Sequence, residues 1–208
     1  MPTGAQANYL PPASCRQVLG GVLQLLKSER TIILPYLTGA KHICKLPGLQ
    51  IYFESSLQLD TDGSKYSALD KTGQTGTSLQ DQGHPVDSDR IPYFVLPKTF
   101  ASAHHIRLGD IAAVTHNGRL VFAMLADHGP SWKIGEGSIA LHRLLGYERI
   151  QQGRLHDLGI SGEVLTLVFP RSGNHTPQTP DRIQFKGSAL FNNLAHTQAR
   201  LGAGPAVI

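Results

Sequence analysis

The sequence has few cysteines, few charged residues and no long apolar runs, and each shortage excludes a class of protein. Its two cysteines, Cys15 and Cys44, cannot form a disulfide framework or a zinc site by themselves. Charged residues make up 16 % of the chain, and there is no lysine or arginine run of the kind that marks a nucleic-acid-binding arm. No apolar stretch is long enough for a transmembrane helix. Neither nucleic acid nor a membrane is therefore an expected partner.

Several catalytic and metal-binding motifs are also missing from the sequence. The histidines show no metal-ligand spacing, and there is no His-Glu-x-x-His pair. Ser138 does not form a G-x-S-x-G elbow, because Ala140 stands where the second glycine belongs. The segment "QLDTDGS" at 58–64 lacks the distal glutamate of a calcium-binding loop. We therefore expect no metal and no other cofactor.

Glycine and proline are abundant, with 22 and 13 residues, which favours a loop-rich β fold. The clearest pattern is "DIAAVTHNGRLVFAMLAD" at 110–127, where two apolar runs flank Asn-Gly, the preferred pair for a type I′ hairpin. Residues 61–90 are polar, glycine-rich and without periodicity, as is typical of a functional or mobile loop. Further strands are predicted over 49–60, 91–97 and 162–170, and helices over 14–30, 137–147 and 188–201.

Two carboxylates follow this hairpin, in "LADHGPSWKIGEGS" at 125–138. Asp127 and Glu136 are nine residues apart, with the chain's only tryptophan, Trp132, between them. Cleavage of a glycosidic bond needs an acid to protonate the leaving oxygen and a carboxylate to activate water or attack the sugar. A strand end and a helix start joined by a short loop would present both acids to one cleft. The alternative is two exposed turn acids, with Glu136 favouring a helix N-terminus.

Five further residues are candidates for contact with a substrate. Trp132 either stacks on a sugar ring or anchors its loop against the fold. Asp60 and Asp62 lie at a predicted strand exit, where the alternative is an Asp-Gly turn. His128 and Ser138 belong to the same block as the two candidate catalytic acids.

The order of these segments resembles glycoside hydrolase family 75, the chitosanases first known from fungi. The resemblance covers about residues 49–175 and implies a mainly β fold, a six-stranded double-psi β-barrel with a few short helices and an open groove. It also implies that Asp127 and Glu136 are the two essential carboxylates. The matching segments are "LDTDG" at 59–63, "TSL" at 77–79, "IPYFVLP" at 91–97, "LGDIAAVTHNGRLVFAMLADHGP" at 108–130, "IGEGSIAL" at 134–141 and "VFPRSG" at 168–173.

The same block is similar to the double-psi barrel of membrane-bound lytic transglycosylases. That analogy implies that Glu136 is the general acid and Asp127 the base or electrostatic partner. The chain departs from the family 75 pattern at three positions. Gln58 replaces a leading acid, Thr61 stands where a cysteine is frequent, and Arg171 replaces a glycine.

The expected function is endo-acting, inverting cleavage of a β-1,4-linked amino-sugar polymer. Family resemblance favours chitosan, a polycation that an acidic groove would attract. The net charge of +4 instead favours peptidoglycan, an anionic polymer of related sugars. One alternative is a muramidase or lytic transglycosylase-like antibacterial effector, which would have an immunity protein as partner. Another is a non-catalytic carbohydrate-binding barrel.

The expected organisation is a partly helical N-terminal extension over residues 1–48 and a single catalytic β-barrel domain over 49–208. The first residues, "MPTGAQANYLPPASC", have neither the basic nor the apolar region of a signal peptide. Action outside the cell or in the periplasm would then need another export route, such as a specialised secretion system.

Overall fold

Short strands dominate the computed structural model of the chain, which describes residues 31–202 and, for 195–202, the backbone alone. A 3₁₀ turn spans Ser67–Leu69. The strands are β1 (Ile32–Ile33), β2 (Ala40–Lys45), β3 (Ile51–Asp60), β4 (Gln80–Asp81), β5 (His84–Pro85), β6 (Tyr93–Pro97), β7 (Ile111–His116), β8 (Arg119–Gly129), β9 (Glu136–Ser138), β10 (Ile150–Gln151), β11 (Arg154–Leu155) and β12 (Gly159–Phe169). The helices are α1 (Lys98–Ala103), α2 (Ile139–Leu144) and α3 (Pro180–Gly202).

Six of these strands close into a barrel. Their order is β3-β12-β7-β8-β6-β9, and β9 pairs again with β3 to complete the ring. The pairs β6–β8 and β3–β9 are parallel, and the other four are antiparallel. The mainly β fold class and the closed six-stranded barrel predicted from the sequence are confirmed.

The hairpin of β7 and β8 is the barrel's most regular part. Asn117 and Gly118 both have positive φ, 47° and 76°, as a type I′ turn requires. His116 and Arg119 therefore face each other across the turn, and the ladder continues to Ile111 and Met124. Asp127 lies near the end of β8, and the loop that follows leads to Glu136 at the start of β9.

Alternation along the strands divides the core into two apolar clusters. In β8, Val121 and Leu125 belong to one cluster, and Phe122 and Met124 to the other. Helix α3 covers the second cluster with Ile183 and Phe191. Burying both faces of β8 explains why its sequence is almost continuously apolar.

Two helix ends show how local sequence sets the chain's course. Ser138 caps α2, because its Oγ accepts the N–H of Leu141 at 3.1 Å. Gly146 follows the helix with φ +96°, a conformation that favours glycine. Helix α3 begins at Pro180, earlier than predicted, because proline suits the first turn of a helix.

The hairpin of β1 and β2 extends the barrel sheet along the edge of β3. It lies within the predicted N-terminal extension, residues 1–48. The helix predicted over 14–30 lies outside the described residues. Within the described part of the chain, no helix has the length and apolar character needed to cross a membrane.

Candidate active site

A β-bulge at the end of β8 orients the first candidate acid. Phe94 of β6 faces Leu125 of β8, but the next residue, Val95, faces Asp127. Ala126 is therefore the extra residue, and the register shift turns Asp127 onto the same face as Val95. Bulges of this kind commonly re-aim side chains beside active sites.

The two candidate acids lie in one row across neighbouring strands. Val95 faces Asp127 of β8 on one side and Glu136 of β9 on the other. On the far side of Glu136, Gln58 of β3 continues the row. Adjacent strands are about 4.8 Å apart, so the backbones of Asp127 and Glu136 lie about 10 Å apart. Partners in register point to the same face, which places both carboxylates over one surface.

This surface is the floor of a groove of about 350 Å³. The groove is strongly acidic, although the whole chain has a net charge of +4. Within the described part of the chain, its charged lining consists of five carboxylates and one lysine. These are Asp60, Asp62, Asp70, Asp127, Glu136 and Lys133.

Three hydrogen bonds to a single oxygen hold Asp127 in place. Its Oδ1 accepts the Ser78 N–H at 2.9 Å, the Ser78 Oγ–H at 2.6 Å and the His128 N–H at 2.7 Å. The residue is buried, with 8 % of its surface exposed. A carboxylate fixed through one oxygen can direct the other toward the groove, which is the geometry that a general base needs.

An ion pair holds Glu136. The Nζ of Lys133 lies 2.6 Å from Glu136 Oε1, and both side chains are less than one-fifth exposed. The same ammonium group also donates to Oε1 of Gln58. Lys133 therefore bridges two members of the row that lie on neighbouring strands.

Asp60 and Asp62 form a cluster with Asp127. One oxygen from each carboxylate lies within 4.8 Å of the others, close enough for a single cation to contact all three. Burial, reinforced by the charge of Asp62, raises the pKa of Asp60 to about 7. Burial also raises the pKa of Asp62 to about 6, against the opposing effect of the N–H that Gln74 donates to it. The cluster therefore holds protons near neutral pH and would favour a cation in its place.

The contribution of this cluster to thermal stability is expected to fall as pH rises from about 4 to about 7. Unfolded aspartates have pKa values near 3.9, so between that value and the raised ones the folded chain binds more protons than the unfolded chain. This stabilisation is complete below about pH 4 and is lost as pH rises through about 6 and about 7.

Burial lowers the pKa of His142 to about 3, so this residue opposes the trend below about pH 6.5, and the contribution of the cluster is measured as the difference between wild type and Asp60→Asn. The Tm of wild type relative to that of Asp60→Asn should drop by roughly 3 °C or more over this range. A difference that holds steady or moves the other way would contradict this assignment.

The loop over residues 61–90 is fastened to the barrel and forms one wall of the groove. The N–H of Leu79 donates to the carbonyl of Ala126, the bulge residue, at 2.8 Å. Ser88 is fully buried, and its hydroxyl donates to the carbonyl of Asp60. Of the two alternatives for this loop, functional or mobile, its contacts support a functional role.

The predicted substrate-contact residues separate into two groups. Trp132 and His128 line the groove, as do Asp60 and Asp62. Trp132 is 59 % exposed, so its ring is available for stacking rather than packed as a core anchor. Ser138 lies outside the groove and is fully buried. Its Oγ accepts the N–H groups of Leu141 and Tyr93. Its role here is that of a helix cap.

Two residues that hold the acids, Ser78 and Lys133, had no role predicted from the sequence. Ser78 lies within the "TSL" segment that matches the family pattern, and this segment was the available clue. Lys133 follows Trp132 in a loop whose course no periodicity predicts. The contacts of Ser78 with Asp127 and of Lys133 with Glu136 become visible only in the folded chain.

Comparison with protein families matches the chain to a family model that spans the whole groove. The family model described as fungal chitosanase of glycosyl hydrolase group 75 matches residues 57–201, well over half of the chain. Both candidate acids, the loop over 61–90 and five of the six barrel strands fall entirely within the match, and β3 falls within it in part. A comparison with curated proteins gave no match. The chain therefore belongs to glycoside hydrolase family 75, the chitosanase family, and is a glycosidase.

Proposed function

We propose that the protein is an endo-acting chitosanase that inverts anomeric configuration, with Glu136 as general acid and Asp127 as general base. The observation that carries this proposal is the row in which Val95 separates the two acids. Inverting glycosidases hold their carboxyl groups about 6.5–9.5 Å apart, whereas retaining enzymes hold them about 5–5.5 Å apart. Because the backbones of the two acids lie about 10 Å apart, their side chains can bring the carboxyl groups to the longer separation by tilting toward each other.

In this mechanism Glu136 donates its proton to the glycosidic oxygen as the bond to the anomeric carbon breaks. Asp127 accepts a proton from a water molecule that attacks the same carbon from the opposite face. Ser78 and the His128 N–H orient Asp127 by fixing its Oδ1. The exposed ring of Trp132 would support the sugar chain in the groove.

The charge of the groove supports chitosan over peptidoglycan. The net charge of +4 favoured an anionic polymer, but that charge is spread over the whole molecule. At physiological ionic strength, interactions between exposed charges are screened beyond about 8 Å. A substrate in the groove therefore meets five acidic side chains and Lys133 before it meets distant lysines and arginines, and two of the five, Asp60 and Asp62, ionise as pH rises through about 7 and about 6. Because chitosan is a large polymer, the proposed site of action is extracellular or periplasmic.

A reducing-end assay on chitosan and on purified peptidoglycan tests this proposal. Chitosan is expected to be cleaved, with an early fall in viscosity if cleavage is internal. Proton NMR of fresh product should show the inverted anomer first. Release from peptidoglycan alone would support the effector alternative. Binding to chitosan without release of ends would identify a carbohydrate-binding barrel, and a retained anomer would refute the roles given to Asp127 and Glu136.

A further inference from the structure

Two exposed aromatic side chains lie on neighbouring segments beside the groove. Among the described residues, three phenylalanine, tyrosine or tryptophan side chains are exposed, namely Tyr36, Trp132 and Phe185. A single exposed ring needs no special explanation, because apolar atoms form much of any protein surface. Trp132, however, lines the groove, and Tyr36 is 71 % exposed on a segment that precedes the family match beginning at residue 57. The position of Tyr36 relative to Trp132 therefore decides whether it has a role.

Backbone pairing brings Tyr36 beside the loop of Trp132. Thr38 forms a parallel bridge with Lys133. The Thr38 N–H donates to the carbonyl of Trp132, and the carbonyl of Thr38 accepts the N–H of Ile134, both at 2.9 Å. Because the two segments run in the same direction, the residues that precede Thr38 lie on the Trp132 side of the bridge. The Cα atom of Tyr36 is no more than about 7 Å from that of Thr38, since an extended chain spans at most about 3.6 Å per residue.

The segment that carries Tyr36 is anchored on both sides of the ring. Leu34 and Leu37 pack against the first apolar cluster, and the Leu34 N–H donates to the carbonyl of Ile43 at 2.9 Å. Pro35 restricts its own backbone φ. The tyrosine is therefore presented to solvent on backbone that is already ordered. A ring held in this way loses little conformational freedom when a ligand stacks on it, which is the advantage of a pre-organised binding site.

The ligand that suits this surface is the sugar chain proposed as substrate. The groove, about 350 Å³, is at the lower end of the range for sites that hold a drug-sized molecule. A polymer that is cut internally must therefore continue past the groove over the neighbouring surface. An aromatic face packs against the apolar C–H face of a sugar ring, and its negative quadrupole attracts the ammonium groups of chitosan.

We propose that Tyr36 is a substrate-binding residue that extends the surface of Trp132 and holds the chitosan chain where it leaves the groove. This inference rests on the proposed function. Tyr36 is not among the described residues that line the groove, so it contacts sugars beyond those between Asp127 and Glu136. It strengthens the binding of long chains and leaves the cleavage of short ones unchanged. The residue thus contributes a preference for chain length.

The test compares Tyr36→Ala and Tyr36→Trp with wild type in kcat/KM, measured on long-chain chitosan and on the shortest glucosamine oligomer that wild type cleaves. Tyr36→Ala should lower the long-chain value about three- to tenfold, as expected for the loss of one stacked ring, and leave the short-oligomer value within about twofold. Tyr36→Trp should equal or exceed wild type on the long chain, because tryptophan has the strongest cation–π attraction.

Phe185→Ala is the matched control, since Phe185 is also exposed but lies on α3 and is not among the described residues that line the groove. It should change neither value, and thermal unfolding of each variant checks that the fold is retained. A loss in Tyr36→Ala that is equal on both substrates, or no loss on the long chain, would overturn the inference.

Failure of the proposed function gives a different result. If wild type cleaves neither substrate, the assignment as a chitosanase is refuted. Calorimetric binding of long-chain chitosan to wild type and to Tyr36→Ala then decides on Tyr36 alone. Weaker binding by the variant supports the site, and equal binding excludes it.

Discussion

Glu136→Gln is expected to lower kcat on chitosan by a factor of about 10² to 10⁴, the range associated with general acid catalysis. Glutamine matches glutamate in shape and still accepts a hydrogen bond from Lys133, but it has no acidic proton to give. The barrel should remain folded, because the side chain of Glu136 lies in the groove and outside the two apolar clusters. Release of reducing ends, measured beside thermal unfolding, separates loss of chemistry from loss of fold.

The chain provides a close control for this experiment. Glu163 is also paired with a lysine, Lys41, but on the outer face of β12 with 65 % of its side chain exposed. Glu163→Gln should leave kcat within about twofold of wild type, because surface pairs contribute little to stability and this one is remote from the groove. Activity of Glu136→Gln within the same margin would remove Glu136 from the mechanism.

Gly135→Ala is expected to have the largest structural effect on the site. Gly135 has φ +94°, and an added Cβ would lie 2.3 Å from the carbonyl oxygen of Ser56. The carbonyl of Gly135 also accepts the N–H of Gln58 at 2.8 Å, so neither strand can move without breaking the β3–β9 pairing. We expect a loss of at least about 2 kcal/mol in the free energy of unfolding. A shift of about 1 Å at the adjacent Glu136 would lower kcat by about a hundredfold.

Gly153→Ala separates the two causes of this effect. Gly153 shares the positive φ, +73°, but has nothing within 4 Å of an added Cβ. Gly153→Ala should therefore lower the free energy of unfolding by only about 1 kcal/mol, because of backbone strain, and leave the activity normal. Chemical denaturation and a chitosan assay on both variants provide the comparison. Equal losses in the two would show that close packing of β9 against β3 does not position the acid.

Features specified by local sequence were predictable in this protein. Asn117 and Gly118 fix the hairpin because few residue pairs adopt positive φ together at low cost. The placement of Asp127 and Glu136 in one groove was predictable for a related reason, since only a short loop separates the two acids, although Glu136 lies in strand β9 and not at the predicted helix start. Ser138, by contrast, was a candidate for substrate contact, and the structure places it at the N-terminus of α2, where its hydroxyl is buried.

Features that depend on distant segments were not predictable from the sequence. The bulge at Ala126 is defined by the register against β6, which lies about thirty residues earlier in the chain. Ser78 reaches Asp127 across 49 residues, and no periodicity in the loop over 61–90 indicates that contact. The acidity of the groove is a further case. Composition gives one net charge for the whole chain, whereas the fold brings five of the 15 acidic residues into one groove, together with one lysine among the described residues that line it.

The contact of Thr38 with the loop of Trp132 bears on where a working enzyme fragment begins. Thr38 precedes the family match, which starts at residue 57, and it also precedes the domain boundary at 49 suggested by the sequence. A fragment that begins at 49 keeps both acids and all of β3 but loses the backbone hydrogen bonds that hold Trp132 and Ile134, whereas one that begins at 57 also loses most of β3, a barrel strand. We expect the first fragment to retain the barrel and lose the alignment of one groove wall. The minimal enzyme is therefore expected to include the hairpin of β1 and β2.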